Sequence, residues 1–288
     1  MTRLSASLPN MLGLALSLTL MNMAFASESE SQQDAPSQEQ VLSQELSQEL
    51  SQVPSQVPSQ ALGTSGSVEK CSRSSNYDIY LSGIHTGTIS RTETWLGKSA
   101  VVTSKSEASI LGIGTQYHQR AELSWSDTTN EWLTDEFHQK VTGFRARDMQ
   151  ATFSDNGLES RVDLDGDIEN YTSANIPLRD VDTLAIQIRQ YLLQGRKQFA
   201  LIRQASDATE RYQLYVQESL TAKVAPWGEL TLIPVEQTGA EEVTYYFAPT
   251  MDYQLIKARY HGIILQGLIE LNHYSSSCGE KVGSGPFS

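Results

Sequence analysis

"YDIYLSGIHTGTISRTETW", Tyr77–Trp95, decides the fold class. Tyr77, Ile79 and Leu81 alternate with Asp78, Tyr80 and Ser82. A period of two puts one set of side chains on a buried face and the other in water. Gly83 supplies the positive φ of a tight turn, and a second run returns toward Trp95. Two such runs joined at a glycine read as an antiparallel hairpin.

The same pattern recurs outward along the chain. Ala121, Leu123 and Trp125 share a face, as do Leu133, Phe137 and Val141, and Val243, Tyr245 and Phe247. Near the end, Ile263, Leu265, Ile269 and Leu271 do so, with Gly267 in the series. Turn signals separate these runs: Gly97-Lys98, Asp155-Asn156-Gly157, Asp165-Gly166-Asp167, Trp227-Gly228 and Thr238-Gly239. Strands with one apolar face belong to antiparallel sheets covered on one side. The expected fold is mainly β, a strongly curved antiparallel sheet or incomplete β-barrel. One segment breaks the period. "RDVDTLAIQIRQYLLQG" places Val181, Leu184, Ala185, Ile188, Tyr191 and Leu192 at helical spacing. An amphipathic helix over about 180–194 follows, with Asp180 or Asp182 as its cap and Gly195 as its stop. Its expected use is to cover or plug the sheet's apolar face.

The N-terminal stretch has Arg3, an apolar run from Leu8 to Phe25, and a small-x-small ending at Ala24-Phe25-Ala26. Residues 1–26 read as a cleaved secretory signal, with an uncleaved membrane anchor as the alternative. Pro9, Asn10 and Asn22 break the run below the length a bilayer needs. Residues 27–67 form a Ser/Gln/Glu/Pro spacer with a four-residue repeat from Ser43 to Leu62. Its few apolar groups and Pro54 and Pro58 predict a disordered spacer; docking to a partner is the alternative. Residues 68–288 are then a single β-rich domain. Export predicts a periplasmic location and a disulfide between Cys71 and Cys278, against the alternative of two free thiols. Closing so long a loop limits the denatured chain by at most about 5 kcal/mol.

The chain carries a net charge of −13, and the spacer holds six acidic residues and no basic one. Nucleic acid needs a basic footprint, which excludes that class of partner. No later segment reads as a membrane span, so no integral membrane protein is expected. The five histidines form no metal motif. Gly97-Lys98-Ser99 lacks the earlier glycine of a phosphate loop. Asp163, Asp165, Asp167 and Glu169 alternate in "DLDGDIEN" and are the candidate metal ligands, with an acidic hairpin turn as the bland reading. Trp125, Phe137 and Phe247 are candidates for a ligand wall, or plain core. No cofactor and no catalytic constellation is legible.

"NYDIYLSGIHTGTISRTE", "VDTLAIQIRQYLLQG" and "YYFAPTMDYQLIKARYHGIILQGLIEL" occur in this order. Together they resemble the opening, the helix and the closing strands of the bacterial domain-of-unknown-function family 3108. That resemblance covers about Asn76–Tyr274 and implies an exported β-rich protein with no catalytic residues. The implied architecture is similar to the incomplete barrels of envelope lipid carriers, an analogy of fold alone. Three functions fit. The first is a soluble periplasmic carrier of an apolar small molecule or lipid. The second is an adaptor that binds other envelope proteins. The third is a hydrolase with a carboxylate pair brought together from separate strands.

Overall fold

The computed structural model describes residues 70–110, 113–262 and 266–279. The signal segment, the spacer, and Ile263 and Leu265 of the last apolar series lie outside the described residues. The strands are β1 (Lys70–Leu81), β2 (Ile84–Leu96), β3 (Ser99–Ile110), β4 (Ile113–Ser126), β5 (Glu131–Gly143), β6 (Arg147–Ser154), β7 (Glu159–Leu164) and β8 (Asp167–Thr172). A short β9 (Leu178–Arg179) leads into helix α1 (Val181–Leu193). Then come β10 (Gln198–Gln204), β11 (Thr209–Val216), β12 (Leu220–Val224), β13 (Gly228–Gly239), β14 (Val243–Ala248), β15 (Gln254–His261) and β16 (Gln266–Ser276).

All the strands join one sheet. From one edge its order is β8, β7, β6, β5, β4, β3, β2, β1, β16, β15, β14, β13, β11, β10 and β9, with β12 paired to β13. The first and last strands of the domain are neighbours, so the sheet curls into a nearly closed barrel. Among the described residues one seam, between the β8 and β9 edges, has no ladder. Among the described residues no helix is long and apolar enough to cross a membrane. The outward positions of β3 and β4 carry Lys105, Glu107, His118 and Arg120, where a lipid-facing barrel needs an apolar band.

The opening hairpin forms as read. Ser82 and Gly83 are left-handed at φ 47° and 85°, the pair a tight two-residue turn requires. Tyr77, Ile79 and Leu81 point inward and are buried. One apolar series differs from the sequence reading. Trp132, Thr134 and Phe137 pair with Trp125, Leu123 and Ala121, with a register shift at Glu122/Leu123. This β-bulge flips the alternation. Leu133 therefore leaves the face of Phe137 and Val141 and lies near Gly157. Cys71 and Cys278 are joined in a disulfide across a sequence separation of 207.

The helix forms where expected and takes the plugging place of the two expected for it. Asp180 caps it, accepting from Asp182 N at 2.7 Å and Thr183 N at 3.1 Å. Gly195, left-handed at φ 71°, ends it. The N–H groups of Gly195 and Arg196 return to the carbonyls of Leu192 and Tyr191, which completes a Schellman cap. But the helix has no wet face: ten of its 13 residues are buried. It runs inside the barrel between two apolar clusters. Leu184, Ile188, Tyr191 and Leu192 enter one. Ile186 enters the other, with the edge-on group Trp95, Trp132 and Trp125. Its polar side chains Asp182, Gln187, Arg189 and Gln190 are buried in the barrel with the apolar ones.

Candidate functional site

The alternation that buries Tyr77 also buries charge. Arg73 and Ser75 share its parity on β1, and both are buried. Arg91 and Glu93 share the parity of Ile89 and Trp95 on β2. Ser104 shares that of Val102 on β3. These inward polar residues meet the polar side of the helix.

Three carboxylates collect three guanidinium groups there. Asp182, in the first helical turn, accepts from Arg91 and from Ser104 Oγ at 2.9 Å. Asp252 lies in the turn between β14 and β15. Its carboxylate accepts from both Arg73 and Arg189, and its carbonyl accepts from Arg189 Nε at 2.6 Å. Glu93 accepts from Arg91 Nε and from Trp95 Nε1, each at 3.2 Å. Buried charge survives only when paired in this way. Burial works against the Glu93 anion, but Arg91, Arg73 and Arg189 together hold its carboxyl below the usual range. Asp182 goes the other way: burial raises its carboxyl, and Arg91 only partly offsets this. The neighbouring Asp180 and Glu93 carboxylates add to the rise, and its second oxygen, Oδ2, is buried without a hydrogen-bond partner.

A cavity of about 80 Å³ lies between the helix and the wall. Tyr77, Ile89, Phe247, Leu255 and Ile269 form its apolar side. Arg73, Arg91, Glu93, Asp182 and Arg189 form its polar side, and the small Ala185 faces it from the helix. The space equals roughly two or three waters at about 30 Å³ each. It suits a few apolar atoms with a polar neighbour, not a whole lipid beside the helix.

Its far wall carries a second group. Arg203 and Glu210 pair across β10 and β11 at 2.5 Å, and the Tyr212 hydroxyl donates to Glu210. The Tyr245 hydroxyl donates to Gln237 Oε1 at 3.0 Å. Glu241 Oε2 is buried without a partner. Burial pushes the Glu241 carboxyl up to about 7; Arg203 opposes the rise and Glu210 adds to it. A raised folded pKa means that the folded state binds the proton more tightly than the unfolded chain. Its stabilising effect is complete below about 4.5 and is lost as pH rises through about 7. Melting temperature should therefore fall between pH 4.5 and 7.5 in a thermal scan. Glu241→Gln should flatten that fall and raise the value at pH 7.5. An unchanged slope in the variant would remove Glu241 from the account.

The sequence-read candidates fall in different places. Phe247 lines the cavity. Trp125 and Phe137 pack in the other cluster, around Trp132, and are not among the residues that line the cavity. Asp163, Asp165, Asp167 and Glu169 lie on the β7–β8 hairpin. Cross-strand register puts Asp163 beside Ile168 and Glu169 beside Val162, on opposite faces. Asp163 Oδ1 accepts from Gly166 N at 2.9 Å and Asp165 Oδ1 from Asp148 N at 2.8 Å, so these carboxylates tie down turns. Among the described residues no group of three or more His, Cys, Asp or Glu is placed to hold a metal ion. His85, His138 and His261 are exposed and bond to Asp78, Asp148 and Thr244. Sequence reading missed Arg73, Arg91, Glu93 and Arg203 because it followed apolar parity alone. The signal was present: each polar residue sits in step with a core residue.

No family model matches the chain, and no curated protein matches it. Solved structures do match. A crystal structure of a beta-barrel-like protein of domain of unknown function DUF1849 from Brucella abortus is similar in fold. It is 8% identical and aligns over 72% of this chain and 98% of its own, with a TM-score of 0.52. This likeness carries the barrel fold alone. It gives no support to the specific resemblance to family 3108.

Proposed function

We propose that the domain is a non-catalytic binding protein of the periplasm that takes the apolar part of a small envelope molecule beside its buried helix. The observation that carries this is the two-sided cavity beside the helix, with Tyr77, Ile89 and Phe247 on one side and paired arginines on the other. Mouths and interiors of barrels are common ligand sites. The cavity's volume selects a compact group or a chain end. The signal-like N-terminus, the Ser/Gln spacer and the motif order resembling family 3108 support export and tethering of a β-rich domain.

Native mass spectrometry of the mature protein purified from periplasm, with an organic extract analysed alongside, tests this. The expected result is a co-purifying apolar molecule that is lost in Ala185→Leu. That substitution fills the cavity from the helix, where Ala and Leu are both good helix formers. A protein of bare-chain mass, or a ligand retained by Ala185→Leu, would sink the reading. One observation favours the adaptor as second reading. β8 is a sheet edge whose residues are almost all exposed, including Ile168 at 50%. Such edges accept added strands, although Asp167 and Glu169 guard this one as edge charges do.

A further inference from the structure

The seam holds a second and larger hollow. A cleft of about 370 Å³ opens beside the end of the helix. It lies within the range of small-molecule sites. The β4–β5 turn contributes Thr129, the start of β5 Glu131, the helix Tyr191, and β10 Gln198 and Phe199. It shares no lining residue with the interior cavity, so the two sites stand or fall separately.

Its floor is aromatic. The rings of Tyr191 and Phe199 lie 4.7 Å apart between centroids. Leu158, Ile176 and Pro177 extend the apolar surface. Its charge is one-sided. Glu131 is the carboxylate of the lining, and both of its oxygens are taken. One accepts from the Tyr191 hydroxyl, the other from Arg179 at 2.6 Å. Burial pushes the Tyr191 hydroxyl up to about 12, so it stays a donor.

Arg196 remains. It follows the helix, is exposed, and stacks its guanidinium 4.0 Å over the Tyr191 ring. Among the described residues no carboxylate lies within ion-pair distance of it. The helix carbonyls of Tyr191 and Leu192 are already spent on the closing cap. Thr129 Oγ1 is buried at the same cleft without a partner.

We infer that the seam cleft binds a small organic anion, its apolar body against Leu158 and Ile176 and its negative group on Arg196, which the Tyr191 ring holds in place. A planar guanidinium stacked on a ring is pre-set for a carboxylate or a phosphate. Titration of the full domain, followed by amide NMR shifts at Gln198 and Phe199, tests this with three probes. They are 4-phenylbutyrate, phenyl phosphate and the neutral 4-phenylbutyramide. Saturable shifts are expected with an anion, and at least tenfold weaker binding with the amide. Which anion binds tighter separates carboxylate from phosphate. Arg196→Gln should weaken anion binding about tenfold with an unchanged melting temperature, since Arg196 is exposed. Tyr191→Phe, which keeps the ring, should retain it. Equal binding of the amide, an affinity unmoved by Arg196→Gln, or no saturable shift with either anion would overturn the inference.

Discussion

Asp252→Asn is expected to lower the melting temperature by on the order of 10 °C. The side chain keeps its size and its tolerance for the left-handed backbone at φ 56°. What is lost is the charge that Arg73 and Arg189 share, and these arginine side chains are only 3% and 8% exposed. Removing one partner of a buried ion pair costs about 3–5 kcal/mol, because the other charge is left in a poor solvent. Glu93 lies near enough to both arginines to recover part of that cost, so the lower end, about 3 kcal/mol, is the expectation. In a domain of this size each kcal/mol moves the midpoint by about 2–4 °C. The double variant Asp252→Asn with Arg189→Met should regain several degrees, since it removes a stranded charge together with its partner. A shift of less than about 3 °C in the single variant, or no recovery in the double, would mean that this carboxylate does not anchor the helix. The functional consequence lies at the next level. Asp252 is the point at which the wall grips the middle of the helix, on the polar side of the cavity. Loosening it should enlarge the space beside Ala185 as well as destabilise the fold.

The same residues show what was legible in the sequence. A period of two is a local signal, and it gave the strand class from Tyr77 to Leu81. Asp180 and Gly195 are local signals too, and the helix begins and ends on them. A bulge is not local: the flip at Leu133 depends on how β5 pairs with β4. Nor is the environment of the helix. Asp182, Gln187 and Arg189 look like a solvent face in sequence. They are interior because Arg91 and Ser104, the backbone N–H of Trp132, and Asp252 meet them from distant strands. Polar satisfaction over long sequence separations leaves no periodic mark. The cavity was illegible for the same reason, being the residue of packing among many strands and one helix.

Arg179→Met should open the seam, with a loss of about 3 kcal/mol. β6 pairs with β5 only over Glu136–Val141, which leaves the start of β5 without a strand on that side. β9 takes the place with side-chain contacts. Fully buried Arg179 donates Nε to the carbonyl of Trp132 at 2.8 Å, one terminal nitrogen to Pro177 O at 3.2 Å, and the other to Glu131 at 2.6 Å. Thr134 Oγ1 adds a bond to Asp180 at 2.7 Å, and farther along Ser160 Oγ donates to Gln204 across the gap at 2.6 Å. Methionine fills the volume of the arginine stem but leaves the Trp132 carbonyl and one Glu131 oxygen unanswered, a cost per group of about 1–3 kcal/mol. Hydrogen exchange should locate the effect. Amides of β9, the first turn of the helix and Trp132–Thr134 should exchange faster, while β1–β4 keep their protection. Arg179→Lys retains the charge but lacks the fork that spans a carbonyl and a carboxylate, so it should fall between the two. Uniformly faster exchange over the whole barrel would show that the seam has no separate stability. Unchanged exchange at β9 would show that the ladder with β10 holds it without the arginine. A local effect would mean that the barrel is closed by side chains at one line, the line along which the cleft lies.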